Sequence, residues 1–109
     1  MTGQQAEALA GEYLTRQGMR LLERNFRCRL GEIDLVMQEG QTLIFVEVRL
    51  RRSQQFGGAA ASITHHKQQK LLKAAQIYLQ QLKHLPPCRF DVVVTDGDRL
   101  EWIKDAFGA

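Results

Sequence analysis

Apolar residues recur at helical spacing near the N-terminus, at Ala6, Leu9, Ala10, Tyr13 and Leu14, which predicts an amphipathic helix from Thr2 to about Gln17. Thr2 followed three residues later by Gln5 is a capping-box pattern, and Gly18 supplies the stop. From Met19 the periodicity changes. Met19 to Cys28 reads as a strand with a cationic end at Arg24, Arg27 and Arg29. GEIDLVMQ and TLIFVEVRLR read as two further strands on either side of Glu39-Gly40-Gln41, together spanning about Gly31 to Arg52. Ser53 to Ser62, with Gly57-Gly58 and an alanine run, reads as a loop. A second helical stripe at Ile63, Leu71, Ala74, Ala75, Tyr78 and Leu82 predicts a long helix from Ile63 to about Lys83, capped by Ser62 or Thr64. Pro86-Pro87 ends that region. Arg89 to Thr95 reads as a buried strand, Asp96-Gly97-Asp98 as a turn and Arg99 to Ile103 as a last strand. The order αβββαββ predicts an α/β fold, a mixed five-stranded sheet with a helix on each side, in one domain over 1–109.

The middle strands carry the chemistry. Side chains alternate along a strand, so Glu32 and Asp34 share a face of one, and Glu47 and Arg49 share a face of the next. A two-residue loop at Gly40-Gln41 sets Glu39 opposite Thr42, which places Asp34 opposite Glu47 and Glu32 opposite Arg49. A loop at Glu39-Gly40 instead sets Glu32 opposite Glu47. Either register gathers three carboxylates and a guanidinium on one hairpin face. Opposed like charges and half-buried carboxylates are costly, and a divalent cation removes both penalties. Mg²⁺ is commonly held by one or two carboxylates, with water and substrate phosphate completing its shell. The competing reading is a solvated face on which Arg49 pairs with Glu32 or Glu47. Ile44, Phe45, Val46 and Val48 around Glu47 favour a strand buried on both faces.

Composition narrows the function classes. With 44% hydrophobic and 25% charged residues among 109, the chain is an ordinary globular one with enough apolar side chains for a core. No run approaches the ~20 apolar residues of a membrane span, so no membrane role is expected. MTGQQAEAL has neither a basic n-region nor an apolar h-region, and Cys28 and Cys88 stand alone without CxxC spacing or companion ligands. Reduced thiols in the cytoplasm are the expectation, and a zinc site is not. The net charge of +3 is compatible with a nucleic-acid partner. The oligomeric state is left open, a homodimer being one possibility.

Single residues add to the hairpin. Lys67 falls about one turn after Ile63 and one turn before Leu71, inside the apolar stripe, so it is aimed at the sheet or snorkels past its edge. Glu7 borders the first helix's apolar stripe and either leans over the sheet or is a plain surface glutamate, whereas Glu12 is on the opposite side. His65 and His66 diverge by about 100° on a helix and do not face one ion together. Arg49, Arg51 and Arg52, with Arg24, Arg27 and Arg29, would form a phosphate-binding rim if their strands are neighbours. Otherwise they are solvated surface.

The segments GQQAEALAGEYL, RNFRCRLGEIDLV, IFVEVRLRRS, FGGAAASIT, the Lys67 helix and RFDVVV, in that order, resemble the YraN family of small bacterial proteins. That family is predicted to consist of nucleases of the restriction-endonuclease-like superfamily, akin to archaeal Holliday-junction resolvases. The resemblance implies a restriction-endonuclease-like fold and a metal-dependent endonuclease acting on DNA, branched or damaged DNA included, with Mg²⁺ (or Mn²⁺) as cofactor. By position it implies Asp34 as the first acid, Glu47 as the second and Glu7 as the helix-one glutamate of resolvase-like members, while Glu32, from its strand face, is a third metal ligand or a water-positioning group. Arg49, in the place of the superfamily's lysine, and Lys67, like the helix basic or polar group that some members carry, become catalytic cations; Arg49, Arg51, Arg52 and Arg29 are the nucleic-acid contacts expected from their charge. The superfamily's acidic-x-lysine motif reads Glu47-Val48-Arg49 here, which keeps the charge and loses the titratable amine. A non-catalytic nucleic-acid-binding module on the same fold is therefore the alternative.

Overall fold

A computed structural model describes residues 1–51 and 63–108 of the chain; Arg52 and the loop expected at Ser53–Ser62 lie outside the described residues. The elements follow the expected order: α1 (Gly3–Arg16), β1 (Arg20–Cys28), β2 (Gly31–Glu39), β3 (Thr42–Leu50), α2 (His65–Leu79), β4 (Cys88–Thr95) and β5 (Leu100–Phe107). The strands form one sheet in the order β1-β2-β3-β4-β5. All neighbours are antiparallel except β3 and β4, which run parallel and are joined across α2.

The capping box at Thr2 and Gln5 is formed in full. At the other end Gly18 takes φ +99°, and its N–H and that of Met19 bond back to Thr15 and Leu14, the paired bonds of a Schellman stop. α1 covers one face of the sheet, where Ala10, Leu14 and Met19 meet Leu35, Met37, Ile44, Val46 and Val93. On the opposite face Leu71, Ala74, Ala75 and Tyr78 of α2 pack on Phe26, Leu43, Phe45 and Phe90. Covered on both sides, β2 and β3 need near-continuous apolar runs, which LVM and LIFV supply.

Three boundaries differ from expectation. α2 starts at His65, with the Thr64 hydroxyl accepting from the Lys67 N–H at 3.2 Å, and it ends at Leu79. Leu82 therefore lies beyond the helix and is exposed, where the residues leading to Pro86-Pro87 turn away. β5 continues past Ile103 to Phe107. Its Asp105 takes φ +51° and donates its N–H to Asp91, and the detour lets Phe107 stack on Phe90 at 5.0 Å between centroids.

The hairpin takes the first of the two registers, with Glu39 opposite Thr42 and Leu35 opposite Val46. Gly40 at the first loop position has φ +59°. The backbone ladder stops at Leu35–Val46. Beyond it the Val48 N–H donates to Asp34 Oδ2 at 2.8 Å, so a carboxylate stands where a strand carbonyl would otherwise accept. The expected juxtaposition of Glu32 with Arg49 does not form, because β2 stays with β1 and Glu32 lies opposite Arg27.

Candidate active site

Asp34 is the hub. It is buried where β2 and β3 part, one oxygen fixed by the Val48 amide. Glu47, almost fully buried on β3, lies within hydrogen-bonding reach of it. On its other side are Glu32, two residues earlier on β2, and Glu7, which α1 leans over the sheet. One carboxylate oxygen from each of Glu7, Glu32 and Asp34 lies within 4.8 Å of the others. All four acids picked out in the sequence thus meet around one carboxylate. Glu12 is on the outer side of α1, paired with Arg16.

Burial, and then the charge and hydrogen bond of Glu47, push the Asp34 carboxyl up to about 7, with Glu32 adding and the Val48 amide opposing. Burial also raises Glu7, as does the charge of Asp34, against a hydrogen bond from the Asn25 side chain and the charge of Arg24. Glu7 Oε1 is buried and, among the described residues, has no hydrogen-bond partner; Arg24 lies 3.9 Å from it. A buried acceptor left unpaired beside two more carboxylates is an unfavourable arrangement for the protein alone. The donor set is entirely carboxylate oxygen, which suits a hard cation such as Mg²⁺ or Mn²⁺ and not a soft one.

The cations stand around this centre. Arg27 Nε lies 3.3 Å from Glu32, Lys67 Nζ 3.6 Å from Glu47 Oε2, and Arg49 3.8 Å from that same Glu47 oxygen. Lys67 is aimed at the sheet, as its place in the α2 stripe predicts, and both it and Arg49 remain about 40% exposed. Their charged ends border the buried acids and also face solvent. Arg29 is exposed at the end of β1. The Arg51 N–H bonds Thr95, and its guanidinium acts on Asp96, whose carboxylate the Arg99 and Asp98 amides hold below its ordinary range. Arg52, the third residue of the rim expected with Arg49 and Arg51, lies outside the described residues. His65 and His66 are exposed.

One buried acid went unnoticed in the sequence. Asp91 on β4 is fully buried and accepts from Arg89, the Trp102 indole and the Asp105 amide. With its oxygens engaged by protein donors, it fixes the β5 detour and has no role in the cluster. Its placement inside the apolar run FDVVV was the only available signal.

An α/β sheet protein with two helices among the described residues, and with four carboxylates and the cations Arg27, Arg49 and Lys67 gathered where two strands part, is the class that fold and site define. The chain belongs to the Uncharacterised protein family UPF0102, whose model matches residues 6–95. This is the YraN family recognised from its segments. It is similar to a UPF0102 protein of Janthinobacterium sp. (strain Marseille), 56% identical over 109 residues, all of this chain and 89% of the relative. A UPF0102 protein of Nitrosomonas eutropha is 55% identical over 106 residues, 96% of this chain and 91% of its own. Another from Methylobacillus flagellatus is 54% identical over 110 residues, 98% and 96% of the two chains.

Proposed function

We propose that this protein is a metal-dependent endonuclease of the restriction-endonuclease-like class, hydrolysing phosphodiester bonds in DNA, with branched or damaged DNA among its substrates. The observation that carries this reading is the convergence of Glu7, Glu32 and Glu47 on Asp34, with Lys67 and Arg49 meeting at one oxygen of Glu47. Asp34 and Glu47 would hold Mg²⁺ or Mn²⁺, helped by Glu32 and Glu7. A bound divalent cation supplies charge neutralisation at the scissile phosphate and a water of lowered pKa. The Val48 amide fixes one oxygen of Asp34, so the carboxylate is oriented before any ligand arrives. Lys67 and Arg49, both about 40% exposed beside Glu47, would offset the negative charge that develops on the phosphate oxygens. Arginine does not serve as a general base, so the part of Arg49 is charge alone. A lysine reaching the same acid from α2 supports an active enzyme despite Arg49.

The second reading, a nucleic-acid-binding module without turnover, is favoured by Arg49 standing in the lysine position. Cleavage of branched and linear DNA in Mg²⁺ or Mn²⁺, with Asp34→Asn as the blank, decides between them. Metal-dependent cutting that Asp34→Asn removes is the expected result. Binding without cutting above the blank would establish the module instead.

A further inference from the structure

Beside the carboxylates runs an open groove of about 380 Å³, lined by Arg27, Arg29 and Glu32 on the β1–β2 side and by Lys67 and Lys70 on α2. Arg27 and Lys67 are occupied by Glu32 and Glu47. Arg29 and Lys70 are both exposed and, among the described residues, neither has an ion-pair partner. Lys67 and Lys70 are three apart on one helix and therefore neighbours on its surface. The groove so leads from cations at the site to cations away from it.

Its walls are locked together. A Cβ on Gly31 would lie 2.7 Å from the Lys70 carbonyl oxygen, so the β1–β2 turn rests directly on the α2 backbone. The separation of Arg29 and Lys70 is thereby set by main chain. Among the described residues no aromatic ring lines the groove, and what those residues offer a ligand is charge. The groove's volume is that of a small-ligand site, room for a short stretch of one strand's sugar-phosphate backbone.

We propose that this groove is a phosphate-tracking subsite, in which Arg29 and Lys70 hold the backbone of a single nucleic-acid strand next to the phosphate at the Asp34 centre. The inference rests on the nuclease reading for what occupies the centre, and it adds that one strand is followed through its phosphates. Phosphate contacts of this kind position a strand and are sequence-independent.

The test is binding of a fluorescent single-stranded oligonucleotide to the Asp34→Asn protein, which separates binding from cutting. Measured over a salt series, Arg29→Gln with Lys70→Gln should weaken affinity at least tenfold. It should lower the slope of log affinity against log salt by about 1.4, two contacts' worth on a single strand. Lys104→Gln, on β5 with its ammonium over the Trp102 ring, is the control and should leave both unchanged. In the Asp34-intact protein the double change should raise KM for the same strand and leave kcat within a few-fold. An unaltered affinity and slope in a folded double variant overturns the groove assignment, and if metal-dependent cutting persists the nuclease reading survives it. Absence of both oligonucleotide binding and cutting removes the two together.

Discussion

Asp34 concentrates the chemistry and also the instability of the site. Its folded carboxyl, near 7, holds a proton more tightly than the unfolded chain, whose value is about 3.8. The stability so contributed is complete below the unfolded value and is lost as pH rises through the folded one. In EDTA, unfolding free energy should therefore fall between about pH 4 and pH 7, by ~4 kcal/mol at most from this group, with Glu7 acting in the same direction. Asp34→Asn should flatten that decline and leave the metal-free protein more stable than the parent at about pH 8, while removing divalent-ion binding. Urea titrations of both proteins on either side of the window check this; parallel pH profiles would mean that Asp34 is not the titrating group. The two cations on Glu47 invite a different measurement. If Arg49 acts only through charge, Arg49→Lys should change kcat by less than about tenfold, or ~1.4 kcal/mol. Lys67→Met should cost about a hundredfold or more, as loss of a group aimed at developing charge does. Native protein no more active than the Asp34→Asn blank beside an active Arg49→Lys would reverse the assignment and favour the binding module.

At the level of elements, the site depends on how three of them are held. β2 gives up its backbone ladder to β3 at Leu35, α1 brings Glu7 over the gap, and the β1–β2 turn is pressed on α2 at Gly31. Gly31→Ala should destabilise the domain by about 1–3 kcal/mol, since the new methyl meets backbone and not a movable side chain. A melting temperature equal to the parent's would show that the turn is free to lift from the helix. Much of this organisation was legible in the chain. Thr2, Gln5 and Gly18 marked α1, the Gly40-Gln41 loop was one of two alternatives and is the one adopted, and the α2 stripe aimed Lys67 inward. What escaped was non-local. Nothing in the strand pattern signals that the Asp34 side chain replaces a ladder carbonyl, so Glu32 was set against Arg49 instead of Arg27. Leu82 continues the apolar stripe beyond α2, and periodicity alone does not register the turn before Pro86. The extension of β5 to Phe107 depends on Asp91, whose hydrogen bonds come from residues distant in sequence.

Over the whole molecule the net charge of +3 understates the local fields. Glu7, Glu32, Asp34 and Glu47 sit among Arg24, Arg27, Arg49 and Lys67, so the region around the cluster is close to balanced. A polyanion approaching it meets carboxylates as well as cations. A divalent ion among the acids tips this balance to positive and relieves Arg27, Arg49 and Lys67 of their pairing with carboxylates, so that they can turn to phosphate. Metal and nucleic acid should therefore bind cooperatively, and by linkage each must tighten the other by the same factor. No helix among the described residues is long and apolar enough to cross a membrane. The expected result is an affinity for DNA that rises about tenfold, ~1.4 kcal/mol, between EDTA and saturating Ca²⁺, an oxygen-seeking ion that allows binding to be followed. Asp34→Asn should abolish the increase without abolishing the EDTA-level binding, and both states should weaken steeply with salt through counterion release. The same increase in Asp34→Asn would place the responsible ion away from the four carboxylates, and an affinity indifferent to salt would exclude a phosphate-binding surface.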